Sequence, residues 1–473
     1  MFFMKKISTS MAFLILCLLF LSSCTTSESL SEYPPAELSS SSHLNAHAEN
    51  NRTEKINFSN PESPFQMISS ADITSYGSGN SAGYYGIYIN ADASKNILYT
   101  DYETASQVYL CNQPNCMHDT ETCTSWIPPD TGKVVAAATD ELLFLLVSNS
   151  QSASYIECRD LNGANSHRLY TLPDGATMEN AVAANDRFLI VSVVQITQEK
   201  GSIVRNTSLQ LIDIETGQAT VLLALSDLVE KDVLSGAEMR FLGLSEAGSI
   251  LDISVQHAYE YDPNDIEKSF QNQNNAMVHT IYVMPLDGSK PYSVLSYRNG
   301  ECVVSPMGGW LFALKSDDTG KIALDRIVPR TGETLRLIED FQNTFLKDKA
   351  RNTSLTDYVF RNYVDNTLII NVMSNNYVDE SGSMQMVFSG MLINADTGEV
   401  RELSLTNFYH ATVVPVGILA HCDDKLLVMA RITESQNSGG ITSLKRETGL
   451  ISIADFLHSD PNYQMIQSIR FYD

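Results

Sequence analysis

A two-part unit recurs along most of this chain. Its first part is a polar turn followed by an apolar strand. Thr139-Asp140-Glu141 precedes LLFLLV, Asn185-Asp186-Arg187 precedes FLIVSVV, and Gly248-Ser249 precedes ILDISV. Gly308-Gly309 precedes WLFAL, Asp365-Asn366 precedes TLIINVM, and Asp423-Asp424-Lys425 precedes LLVMA. Ser94-Lys95-Asn96 before ILYT is taken as the first copy. From Asp140 through Asp186, Gly248, Gly309 and Asp365 to Asp424 the spacings are 46, 62, 61, 56 and 59 residues. The second part is a glycine turn after another strand: DLNG (160–163), DIETG (213–217), PLDG (285–288), PRTG (329–332), NADTG (394–398) and KRETG (445–449). Glycine there supplies the positive φ that a tight hairpin needs. Seven strand markers interleave with six turns, and the missing turn falls near residues 103–106.

Short strands punctuated by turns at such a period indicate propeller blades, because one four-stranded sheet cannot bury both of its faces alone. Residues 83–473 divide into seven units of about 56 residues. The expectation is an all-β, seven-bladed propeller spanning residues 63–473, with six or eight blades, or a pair of β-sandwiches, as alternatives. Residues 467–472 (QSIRFY) alternate like a strand and are expected to pair into the first blade and close the ring, which removes exposed edges. Residues 257–277, 339–358 and 454–466 interrupt the period and read as loops or short helices.

The N-terminus is of another kind. Lys5 and Lys6 precede an apolar run at 11–21 (MAFLILCLLFL). That is shorter than the roughly 20 residues a spanning helix needs and has the proportions of an export signal. The run ends in Leu21-Ser22-Ser23-Cys24, which resembles a bacterial lipobox. The resemblance implies a signal peptide over 1–23, diacylglycerol on Cys24, and a cell-membrane anchor facing away from the cytoplasm, at the cell surface or in a periplasm. Residues 24–62 are rich in Ser, Pro, Glu and Asn and read as a flexible tether with a reach of roughly 30–35 Å. His43 and His47 lie within it and read as solvated linker. Turn pattern and lipobox together resemble the bacterial extracytoplasmic propeller lipoproteins, including the TolB type. That resemblance implies a surface module facing protein or carbohydrate, and transfers no catalytic residue.

Charge narrows the partners. With 31 basic and 56 acidic residues the net charge is −25, which repels phosphate backbones and excludes a nucleic-acid partner. An envelope protein or a glycan remains. No Walker loop or H-E-x-x-H occurs in the sequence. The expected function is a binding or scaffolding module using loops on one propeller face. The alternatives are a propeller glycan lyase or hydrolase, which would need carboxylates converging on the axis, or a purely structural envelope lipoprotein.

One local constellation stands out. QVYLCNQPNCMHDTETCTSW carries Cys111, Cys116, His118 and Cys123. Thiolate and imidazole are the donors that tetrahedral Zn²⁺ prefers, and four are present. An exported chain also meets an oxidising compartment, where neighbouring cysteines pair. The stretch resembles Cys-rich segments of exported clostridial-type lipoproteins, which does not decide its chemistry. Disulfide, structural zinc and free thiols all stay open, and the cluster is expected to staple the loop leaving the first blade. Cys158, Cys302 and Cys422 lie in or beside strands and read as core. Tyr84, Tyr85 and Tyr88 read as packing before sugar stacking. His257 and His279 bracket the longest insertion without a partner in sequence.

Overall fold

The computed structural model describes residues 63–70, 77–149, 152–199, 202–230, 233–345, 353–378, 384–409, 412–436 and 442–469. The signal segment, Cys24, the tether, His43 and His47 lie outside the described residues. The chain folds as a seven-bladed β-propeller. Blade 1 runs Ser78–Gly79, Gly83–Ile89, Lys95–Asp101, Ser106–Tyr109, and blade 2 Lys133–Ala138, Leu142–Ser148, Tyr155–Asp160, His167–Thr171. Blade 3 is Ala176–Ala184, Phe188–Glu199, Ser202–Asp213, Ala219–Ala224, and blade 4 Ala237–Ser245, Gly248–Gln256, Met277–Met284, Tyr292–Arg298. Blade 5 is Cys302–Met307, Trp310–Ser316, Ile322–Ile327, Thr334–Ile338, and blade 6 Tyr358–Val364, Thr367–Val378, Met384–Asn394, Val400–Leu403. Blade 7 is Ile418–Cys422, Lys425–Gln436, Thr442–Ser452, Gln464–Met465. The hairpin Thr406–Tyr409/Thr412–Pro415 adds to blade 6 through a parallel pairing.

The apolar runs have a simple cause. A strand between two neighbours buries both faces, so it is apolar at every position rather than at alternate ones. In LLFLLV, Leu143, Leu145 and Val147 enter the core between blades 1 and 2, while Phe144 and Leu146 enter the core between blades 2 and 3. In WLFAL, Leu311 and Ala313 face blade 4 and Phe312 and Leu314 face blade 6. Among the described residues there is one such core for each of the seven blade interfaces, including the interface that closes the ring. Cys158, Cys302 and Cys422 are buried, each in one of these cores.

Two of the glycine turns, DIETG and NADTG, work through their first and fourth residues. Asp213 accepts from both the backbone N–H and the hydroxyl of Thr216, and Gly217 follows at φ 69°. Asn394, Thr397 and Gly398 repeat the arrangement. The seventh turn lies at residues 102–105: Thr104 donates twice to Asp101, and Ala105 takes the glycine's place at φ 51°.

Two expectations are corrected. Ser94-Lys95-Asn96 is the second hairpin of blade 1; the turn matching Asp140 is Asn80-Ser81-Ala82, after an inner strand of only two residues. KRETG is no turn, because residues 445–449 continue the strand Thr442–Ser452 and Gly449 pairs with Val428 and Met465. A helix, Ile453–His458, makes that connection instead, with Ser452 accepting from Asp455 N–H as its N-cap. Of the closing segment, residues 467–469 are described, and Gln467 there bridges Ser106 in parallel, which joins the chain end to the first blade as expected. Residues 470–473 lie outside the described residues.

The chain also enters its own ring. Gln66–Ser69 pairs antiparallel with Ala176–Ala184, the inner strand of blade 3, and Ile68 joins the core between blades 2 and 3. On that same inner strand, Glu179 accepts from the Phe241 N–H of blade 4 at 3.2 Å. Burial raises its carboxyl above the usual range, against the pull of that bond and of Arg240 and Arg205. A raised folded pKa means that stability is lost as pH rises through it. Glu179→Gln keeps an acceptor and removes the charge. It is expected to raise the melting temperature at neutral pH, with the gain vanishing below about pH 4, near the unfolded carboxyl's own pKa; an equal gain at both pH values would show that charge is not its cause.

Candidate functional site

In a four-stranded antiparallel blade the first and third turns lie at one edge of the sheet and the second turn at the other. The propeller therefore has a face of first turns and a face of second turns. A cavity of about 760 Å³ lies on the axis at the first-turn face. It is walled by the first turns of blades 7, 1, 2 and 3, by the inner strand of blade 6, and by the inserted strand Gln66–Ser69.

The turn residues at this mouth also hold the blades together. Asn80 donates to Thr139 O at 2.9 Å, and Asp140 accepts the Ser81 N–H at 2.9 Å, so the first turns of blades 1 and 2 are tied reciprocally. Asp186 accepts the Ser63 hydroxyl at 2.8 Å, which anchors the inserted segment to blade 3. Glu141 and Asp423 are exposed at the same mouth, with Arg361 and His421 as its basic groups. Carboxylates from three blades thus converge, though Asp140 and Asp186 are engaged by their neighbours. This arrangement suits a polar or cationic group entering along the axis. The longest insertion is placed differently: residues 257–276, with the helix Ile266–Asn275, form the second turn of blade 4, on the opposite face.

The Cys/His constellation lies where the chain leaves blade 1. Cys111 follows the strand Ser106–Tyr109 by two residues, and Trp126–Ile127 pairs back onto Asn96 and Lys95. Asn115 and His118 both take positive φ, at 60° and 59°, which turns the loop inward. The Sγ atoms of Cys111, Cys116 and Cys123 and the His118 ring nitrogen all lie within 4.8 Å of one another. His118 Nδ1 is 3.3 Å from Cys123 Sγ, and its ring stacks on Tyr109 at 4.1 Å. Asn96 donates to His118 O at 2.9 Å and to Ser125 Oγ at 3.0 Å. Burial holds the His118 imidazole below its usual pKa, towards the neutral form that ligates metals. The six cysteines among the described residues are unbridged. The donor set suits a metal ion.

Other sequence candidates are absorbed elsewhere. Tyr85 is buried in the core between blades 1 and 2. His279, which has no partner in sequence, has one in space: its Nδ1 is 3.0 Å from both Asp252 carboxylate oxygens and its ring stacks on Tyr297. The register Ser254↔His279 places Asp252 one step along the same face, and that register is the signal that finds the pair.

Fold and site define the class: a seven-bladed β-propeller with a polar axial cavity and a Cys₃His loop. No family model matches the chain, and no curated protein sequence matches it. Among solved structures it is similar to puromycin hydrolase (11% identity, TM-score 0.48), covering 86% of this chain and 56% of that one. It is also similar to oligogalacturonate lyase from Vibrio parahaemolyticus (12%, TM-score 0.41; 80% of this chain, 95% of that one). TolB from Acinetobacter baumannii is a third (12%, TM-score 0.31; 80% and 78%). The chain spans little more than half the length of the hydrolase. At these identities and scores no activity transfers. No helix among the described residues is long and apolar enough to cross a membrane.

Proposed function

We propose that this chain is a lipid-anchored, extracytoplasmic binding module that takes its partner into the axial cavity, with a structural zinc ion in the Cys₃His loop as its cofactor. One observation carries the reading: a cavity of about 760 Å³, built by turns of four blades and bordered by the chain's own inserted strand. A filled axis would suit a purely structural ring, whereas this one has room for a ligand. The exposed carboxylates of Glu141 and Asp423 favour a partner that offers basic or hydroxyl groups, such as an envelope protein or a glycan. Anchorage rests on the sequence LSSC ending at Cys24, since a diacylglyceryl group holds a protein at a membrane without a spanning helix.

The test is in-cell photo-crosslinking of the full chain. A photoreactive residue at Glu141 probes the cavity mouth, and one at Phe270, which is 56% exposed on the opposite face, is the control. Specific capture from position 141 and none from 270 is the expected result. Capture from 270 alone, or from neither, overturns the cavity reading. Cys24→Ser is expected to move the protein from the membrane to the soluble fraction, and retention at the membrane would overturn the anchor.

A further inference from the structure

We infer that Cys111, Cys116, His118 and Cys123 enclose one Zn²⁺ in a closed tetrahedral site, and that this centre locks the seam where the propeller ring closes. The lock rests on the zinc reading above and adds to it what the ion does.

The geometry favours a metal over a disulfide. A disulfide joins two sulfurs at about 2.05 Å and leaves a third thiol and the imidazole without a role. Tetrahedral zinc, with Zn–S of about 2.3 Å and Zn–N of about 2.0–2.1 Å, sets its donors roughly 3.6–3.8 Å apart and uses all four. The four donor atoms lie within 4.8 Å of one another, with His118 Nδ1 3.3 Å from Cys123 Sγ. The groups that would orient these donors are also in place. Tyr109 fixes the ring by stacking, and Asn96 fixes the backbone of His118. Four protein donors leave no open position, which marks a structural site rather than a catalytic one.

The position gives the site its role. The fourth strand of blade 1, Ser106–Tyr109, is four residues long. At its start it carries the ring closure: Gln107 N–H donates to Gln467 O at 3.0 Å, and Gln467 N–H donates to Ala105 O at 2.9 Å. At its end it carries the metal loop, through Tyr109 and Cys111. Behind it lies the smallest of the seven cores. Among the described residues, six are buried between blades 7 and 1 (Tyr102, Ala105, Cys422, Leu427, Leu450 and Ile466), against seventeen between blades 2 and 3. A short edge strand over a thin core is the place where a closed ring opens first. An ion that binds only the folded loop shifts that opening by mass action. It ties the end of the closing strand to Asn96 in the neighbouring strand and, through Cys123, to Trp126.

The experiment uses the full chain, purified without chelators. Zinc content is measured by elemental mass spectrometry. Backbone hydrogen exchange is then compared before and after removal of the ion by a chelator. One zinc per chain is expected. On its removal, exchange should quicken about tenfold in peptides covering 106–111 and 464–469, with blade 4 peptides over 248–256 unchanged. Cys116→Ser should show the fast exchange without chelator and no further change with it; should that variant fail to fold, chelation of the unmodified chain carries the comparison. One zinc with unchanged seam exchange overturns the lock and leaves the zinc. A chain without zinc, lighter by two hydrogens or with titratable thiols, overturns both.

Discussion

Phe312→Ala is expected to destabilise the propeller by about 3–5 kcal/mol, the upper range for truncating a buried phenylalanine. Phe312 is fully buried in the second strand of blade 5, within the core between blades 5 and 6. Its neighbours are the side chains of two facing sheets, with the Tyr363 ring centroid 6.0 Å away. The cost of such a truncation depends on how far the surroundings collapse into the space left behind. In an open sandwich, two sheets can slide together. Here each blade is held on both sides, and blade 5 cannot close on blade 6 without opening its interface with blade 4 at Leu311 and Ala313, the adjacent residues of the same strand. The cavity therefore stays largely open and the cost is high. Phe408→Ala is the control, because that ring is 63% exposed and its loss should stay within about 0.5 kcal/mol. Urea unfolding with an unchanged slope is the measurement. A loss for Phe312→Ala below about 1 kcal/mol would show that the ring yields and that closure does not fix the blade spacing.

That same two-sided burial made the propeller legible in the sequence. A run such as LLFLLV has no alternation because both faces of its strand are covered, and six of seven second strands announce themselves this way. Blade 1 does not, because its second strand, GYYGIYI, buries only Gly83 and Tyr85 and carries no continuous aliphatic run, so the marker slipped one hairpin to Ser94. KRETG carried the turn signature without being a turn: the signature is local, whereas the pairing of Gly449 with Val428 is decided by blade 7 as a whole. The Cys/His loop was visible because its four donors lie within thirteen residues. What the sequence does not show is that Asn115 and His118 turn those donors inward. The axial cavity could not be read at all. Its walls come from blades separated by hundreds of residues, and the inserted strand QMIS pairs with a partner 113 or more residues away without any apolar alternation of its own. Asp252 and His279 stayed apart in sequence for the same reason, since only strand register unites them.

Gly217→Ala is the second large effect, and its size can be separated into parts. Gly217 closes the DIETG turn of blade 3 at φ 69°, where an alanine pays about 1–2 kcal/mol for its Cβ. Gly288 closes the matching turn of blade 4 at φ 81°, with nothing within 4 Å of a Cβ added there. Gly288→Ala should therefore cost that conformational term alone. At Gly217 the added Cβ would sit 2.2 Å from Leu169 O, a backbone atom in the outer strand of blade 2. A backbone carbonyl cannot swing aside as a side chain can, and Leu169 itself is buried in the core between blades 2 and 3. Relief requires moving two blades apart, so the total for Gly217→Ala should reach at least about 3 kcal/mol. Blade 1 supplies a natural comparison. Ala105 occupies the equivalent turn at φ 51° and is tolerated, its side chain buried in the seam core rather than pressed against a neighbour's carbonyl. The penalty at Gly217 is thus assigned to contact between blades and not to the turn. Equal losses for Gly217→Ala and Gly288→Ala would refute that assignment and place the whole cost in the local backbone.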